Sequence, residues 1–109
     1  MTTENILDEA NRITSGARNE AYGSPLDNHT TTATLWTEYL LRKYGNCHRL
    51  DADDVCMLNI LQKISRHANA PKRDNLVDIA GYARNSEMVD VERQRRENKG
   101  VPNGLRETT

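Results

Sequence analysis

The chain contains no phenylalanine and a single tryptophan, Trp36, among its 109 residues. Hydrophobic residues make up 36% and charged residues 28%, so core material is scarce. This length supports one domain with one core. So polar a chain needs a partner subunit to bury enough apolar surface, and a homo-oligomer is expected. Neither charge is in excess. A formal net charge of -1 excludes a global basic field for a nucleic-acid polymer, so any anion site must be local. There is no signal peptide and no apolar run long enough to span a bilayer. A cytoplasmic protein without a membrane partner is therefore expected. Only two cysteines are present, Cys47 and Cys56. A disulfide is not expected in that compartment. The Cys47-His48 step lacks the repeated spacing of a zinc site. Cys56, inside an apolar helix, reads as a small core residue.

What is present is helical periodicity. The pattern predicts an all-α, four-helix bundle-like domain over residues 1–98 and a flexible tail over 99–109. The first helix is expected over 3–14, capped by Thr2 or Thr3, with Ile6, Leu7, Ala10 and Ile13 on its docking face. A loop follows over 15–25, punctuated by Gly16, Gly23 and Pro25. Arg18 and Tyr22 are its ligand-facing candidates, against the alternative of a solvated connection. The second helix opens on Ser24 as N-cap, Pro25 at N1 and Asp27 at N3, and stops at Gly45. Ala33, Trp36, Leu40 and Tyr44 form its apolar face, widened by Leu35 and Leu41. Near its start, Asn28, His29 and the run Thr30-Thr31-Thr32 either meet a phosphate or form an exposed turn.

The stretch from Asp51 to Met88 organises the rest. A third helix begins at Asp51, with Asp54 at N3, and its acids suit the helix dipole. Val55, Cys56, Met57, Leu58, Ile60, Leu61 and Ile64 surround most of it, so it is expected to be central and most buried. Asn59, Lys63 and Arg66 are the polar exceptions. A buried charge is paired or ligand-directed, unless it snorkels past the core. Ala70-Pro71 breaks the helix. The fourth helix opens near Arg73 and extends to about Asn98. On it Asp74 and Asp78 share a face, continued by Tyr82. Two carboxylates at that spacing either hold a divalent cation, magnesium included, or pair with Lys63 and Arg66. Gly81 is small enough to let helices approach closely.

The segments RNEAYGSPLDN, DADDVCMLNILQKISR and RDNLVDIAGYA resemble a family of small phage and prophage proteins. That family has a YG-P loop, a helix with Trp, a K-xx-R helix, and an aspartate-rich helix ending in GYA. The resemblance covers roughly Ile6 to Met88. The family is in turn distantly similar to the all-α NTP pyrophosphohydrolases of MazG-like and dUTPase-like type, and to phage nucleotide-modification-associated domains. Such proteins are helical and oligomeric, and bind nucleoside phosphates through magnesium on acidic side chains. Asp74 and Asp78 match their acidic helix and Lys63 the basic position before it. The ExxE pair that MazG-type catalysis needs on an earlier helix has no counterpart, since Glu20, Asp27 and Glu38 are not spaced for it.

The resemblance therefore implies a phage-encoded binder that sequesters a nucleotide-derived ligand, with no catalytic residue assigned. A host antiviral signal, either a cyclic nucleotide or an ADP-ribose derivative, is a candidate. Arg18, Lys63, Arg66 and Arg73 would neutralise phosphates. Tyr22, Trp36 or Tyr82 would stack on a base, and Asp74 or Asp78 would accept from a ribose or base amine. Two alternatives stay open. One is a magnesium-dependent nucleotide pyrophosphohydrolase with Asp54, Asp74 and Asp78 on the metal. The other is a structural or protein-interaction module in which the same charges form an internal salt-bridge network.

Overall fold

The computed structural model describes residues 4–15 and 23–99. They form four helices: α1 (Ile6–Ile13), α2 (Pro25–Tyr44), α3 (Ala52–Asn69) and α4 (Arg73–Asn98). No strand occurs among the described residues. The all-α expectation holds, and α4 reaches Asn98 as its charge pattern suggested. The expected tail lies outside the described residues, apart from Lys99, which caps α4.

Local chemistry fixes the helix ends. The Asp51 carboxylate accepts from the Asp54 N–H at 2.9 Å, and the Asp54 carboxylate accepts from the Asp51 N–H at 2.9 Å. This reciprocal box satisfies two orphan donors at the start of α3. Ser24 accepts from the Asp27 N–H at 3.1 Å, with Pro25 at N1. Gly45 closes α2 with φ of 76°, a left-handed conformation that glycine adopts without a Cβ penalty. The start of α1 differs from expectation. Asn5, and not Thr2 or Thr3, is the N-cap, accepting from the Asp8 N–H at 2.8 Å. The side-chain oxygen of asparagine reaches the N3 amide as well as threonine's does.

The core is small. Leu26 of α2, Ala52 and Cys56 of α3 and Val89 of α4 form one buried cluster. Ala10, Ala33, Val55 and Val77 are buried beside it. Thr37 ties the α2–α3 connection down, because its hydroxyl accepts from the Leu50 N–H at 2.9 Å and donates to the Ala33 carbonyl at 2.8 Å. Burial pushes the Cys56 thiol up to about 11, helped by the nearby Asp53 charge, so it stays protonated as an inert core group.

Two sequence expectations about burial fail. Leu7, Leu35, Leu41 and Tyr44 were placed on apolar docking faces, yet all four side chains are exposed. α1 docks through Ala10, and α2 through Leu26, Ala33 and Thr37. More informatively, α3 is not buried on all sides. Only Ala52, Val55 and Cys56 are buried on it, while Met57, Leu58, Leu61 and Ile64 face outward. α2 and α4 give α3 one packed side within a single chain.

Ion pairs fasten the two ends of α4 to different neighbours. At its start, Arg73 pairs with the Glu9 carboxylate and donates to the Glu4 carbonyl at 3.0 Å, holding α1. Near its end, Arg96 forks onto both Asp27 oxygens at 2.7 and 2.8 Å, holding the first turn of α2. Arg96 also donates to Glu92 at 2.8 Å. The guanidinium groups of Arg95 and Arg96 draw the Glu92 carboxyl down to about 2.

Candidate functional site

α3 and α4 form an antiparallel helical hairpin, and each carries a polar row along the side facing the other. On α3 the row is Asn59, Lys63 and Arg66. On α4 it is Asp74, Asp78, Tyr82 and Asn85. Both rows follow the three- and four-residue spacing that stacks side chains on one helix face. The rows meet where Lys63 Nζ lies 2.9 Å from an Asp78 carboxylate oxygen. Lys63 is 16% exposed and Asp78 36% exposed, so this pair sits at the edge of the packed region. A second polar tie joins the same helices nearer the start of α3, where the Ser86 hydroxyl donates to Asp53.

Three hollows follow this seam. The first is a polar cavity of about 220 Å³ where all four helices converge. Asn59, Tyr82 and Asn85 line it from the hairpin, Asn28, His29 and Thr32 from α2, and Thr14 from the end of α1. A smaller hollow of about 70 Å³ shares Thr14, Tyr82 and Asn85 with the first and adds Asp78. The third, of about 420 Å³, contains Asp78 again, with Lys63, Arg66, Lys72, Asp74 and Asn75. The seam thus changes from neutral amides, hydroxyls and an imidazole at one end to paired charges at the other.

The structure sorts the residues singled out by sequence. Asn28, His29 and Tyr82 gather at the neutral end. Lys63, Arg66, Asp74 and Asp78 gather at the charged end. Arg73 turns away, its guanidinium engaged with α1. Trp36 is half-buried on α2 and lines none of these three hollows. Arg18 and Tyr22 lie outside the described residues. The threonine hydroxyls of α2 are directed at their own helix, since Thr31 donates to the Asp27 carbonyl at 3.2 Å and Thr32 to the Asn28 carbonyl at 3.2 Å. Such back-bonding gives Thr31 and Thr32 a partner within the helix.

Thr14, Lys72, Asn75 and Asn85 were not anticipated. Asn85 had a signal, because it continues the Asp78–Tyr82 row by one more turn. Lys72 follows Pro71 in the turn that joins the hairpin. Thr14 had none, because its position depends on how α1 packs. Its hydroxyl donates to the Ala10 carbonyl at 2.8 Å while its methyl faces Gly81.

For metal binding the geometry offers a pair and no cluster. Asp74 and Asp78 share a row, but one Asp78 oxygen is held by Lys63. Among the described residues no three His, Cys, Asp or Glu side chains gather to hold an ion. Asp54, the third carboxylate of the hydrolase reading, closes the capping box of α3 instead. No described helix is long and apolar enough to cross a membrane.

Residues 5–90 match a family described as a domain of unknown function, DUF6378, and the chain belongs to that family. It is similar to the Gene 55 protein of Mycobacterium phage D29, with 39% identity over 82 residues, or 74% of this chain and 50% of that protein. It is also similar to the Gene 55 protein of Mycobacterium phage L5, with 38% identity over 96 residues, or 87% of this chain and 58% of that protein. The expected kinship with small phage proteins holds. The chain spans about half the length of these relatives. No solved structure matches it.

Proposed function

We propose that this member of the phage family binds and holds a nucleotide-type small molecule along the α3–α4 seam. One observation carries this reading: a neutral hollow rich in amides adjoins a cation-lined hollow through Asp78 and Tyr82. The two halves suit the two halves of a nucleotide. Asn28, Asn59 and Asn85 each offer an amide donor and acceptor, the pattern that pairs with a base edge. Tyr82 offers a face on which a base stacks. Lys63, Arg66 and Lys72 offer charge to phosphates, and Asp74 accepts from a ribose hydroxyl. A cavity of about 220 Å³ is below the size that encloses a whole drug-sized ligand, so it takes the base while the phosphates lie in the open hollow beyond.

Binding is favoured over hydrolysis by the donor set. A magnesium site for pyrophosphate chemistry uses carboxylates that are free to face the metal. Here Asp78 is engaged by Lys63 and Asp54 by the α3 cap. A phage protein of this kind sequesters its ligand, and cyclic oligonucleotides and ADP-ribose derivatives belong in the test panel beside ordinary nucleotides.

The test is calorimetry with that panel, with and without magnesium, followed by recovery of the ligand after heating the protein. Binding of at least one nucleotide, weakened about tenfold or more by Asn59→Ala and by Lys63→Met, is the expected result. Intact recovered ligand agrees with a holder. Degraded ligand, or no binding across the panel, overturns the reading.

A further inference from the structure

We infer that the outer face of α3 is a self-association surface, on which a second copy of the chain docks its own α3 antiparallel across a two-fold axis. Met57, Leu58, Leu61 and Ile64 are 39%, 42%, 58% and 50% exposed. Their spacing puts them in one stripe on the side of α3 opposite Val55, Asn59 and Lys63. Ser65 and Ala68 extend that stripe and are exposed as well. No charged side chain interrupts it between Met57 and Ala68. A contiguous exposed apolar patch marks an association site.

The occupant follows from what the chain has left and from charge. Outside the described residues, the large apolar side chains are Met1, Tyr22, Val101 and Leu105, scattered over three segments. They cannot supply a complementary stripe of four. A second α3 does, because a two-fold axis sets the same patch against itself. Orientation is set by the ends of the helix. Asp51, Asp53 and Asp54 crowd its start. Antiparallel docking keeps the acidic starts of the two copies apart and opposes their helix dipoles. Parallel docking stacks acid on acid. With the axis near Ile60 and Leu61, Met57 of one protomer faces Ile64 of its partner. The polar seam, on the opposite side of α3, stays open, so this inference is independent of the ligand.

Analytical ultracentrifugation of the full chain tests it. The wild type is expected to sediment at twice the 12.4 kDa chain mass. Leu61→Glu is expected to weaken self-association by about a hundredfold or more, with helix content by circular dichroism unchanged. Orientation is read by cross-linking in a Cys47→Ser background. On oxidation, mixed Met57→Cys and Ile64→Cys chains are expected to join to each other in preference to their own kind. The cross-linking variants keep the test decisive if Leu61→Glu does not fold. A wild type that stays monomeric at every concentration overturns the inference and leaves the stripe to another segment or another protein. A Leu61→Glu dimer as tight as wild type also overturns it, and like-with-like cross-links overturn the antiparallel arrangement.

Discussion

The two sides of α3 both carry apolar residues, with opposite fates. The inner side places Ala52, Val55 and Cys56 in the core and then turns polar through Asn59 and Lys63. The outer side carries Met57, Leu58, Leu61 and Ile64, larger residues on average, and leaves them exposed. Hydrophobicity alone would have assigned the core to the wrong side. Small residues line the inner side because α2 and α4 crowd it, and close approach excludes bulk. The outer side has bulk because nothing among the described residues constrains it.

The largest effect that sharpens this contrast is on the core. Leu26 is 2% exposed and packs against Ala52, Cys56 and Val89. Leu26→Ala should cost about 3 kcal/mol, by lost transfer energy and the cavity left behind. Leu58→Ala, on the outer side, should cost under about 1 kcal/mol in dilute protein, since solvent already reaches the side chain. Urea denaturation of both variants checks the pair. Equal losses would mean that the outer side is packed within the single chain. If the outer side does pair two copies, the melting temperature of the wild type also rises with protein concentration.

A smaller effect distinguishes site from scaffold on the inner side. Lys63→Met removes the amine and leaves the Asp78 carboxylate without its partner. Because Asp78 is 36% exposed, water replaces much of the lost pairing, and the cost should be about 1 kcal/mol. Adding Asp78→Leu should recover part of it. Nucleotide binding should be weakened about tenfold or more in both the single and the double variant. A double variant that regains stability and keeps binding would show the pair to be structural only.

How much of this was legible in the sequence depended on whether the information was local. The Asp51–Asp54 box, the Ser24–Pro25 start and the Gly45 stop were readable, because each is written within four residues. The polar rows were readable too, since helical spacing alone aligns Asn59 with Lys63 and Asp78 with Tyr82. What was not readable was which side of an apolar helix meets the core. α3 satisfies the burial pattern on both sides, and only packing with α2 and α4 chooses between them. Arg73 was misleading for the same reason. Its charge fitted a phosphate, but α1 folds back to place Glu9 and the Glu4 carbonyl beside it. Thr14 reaches the site from the end of α1, with no periodic mark at all.

The clamp at the far end of α4 gives a comparable effect with a pH signature. Arg96 joins Asp27 and Glu92, and both carboxyls lie below their ordinary values through hydrogen bonds to arginine. Depressed carboxyls contribute stability that is present above their unfolded values and is lost as pH falls through the folded ones. Arg96→Met should therefore cost about 1 kcal/mol near neutral pH, discounted because Asp27 is 61% exposed. The gap from wild type should shrink as pH falls below 4.5, the unfolded value of Glu92. Urea melts at the two extremes measure it. A gap that persists in acid would assign the loss to the packing of the Arg96 stem.

The smallest expected effect has the opposite sign. Gly81 is buried within α4 against Thr14 of the α1 cap, a place where a closer helix approach would demand glycine. The geometry does not demand it. A Cβ there would meet the Thr14 methyl at 3.6 Å, an ordinary van der Waals contact. Glycine in a helix interior costs roughly 0.5–1 kcal/mol relative to alanine through backbone entropy. Gly81→Ala should therefore stabilise the chain by up to about that amount, visible as a rise of several degrees in melting temperature. Gly81 also lines the small hollow between Asp78 and Tyr82, so the same methyl narrows the middle of the seam. A variant that melts higher and binds nucleotide less well would separate the two roles of this face: the fold accepts the methyl, and the ligand does not. A variant that melts lower would mean that α1 presses closer on α4 than 3.6 Å allows, and that the inner side is tighter than its hollows suggest.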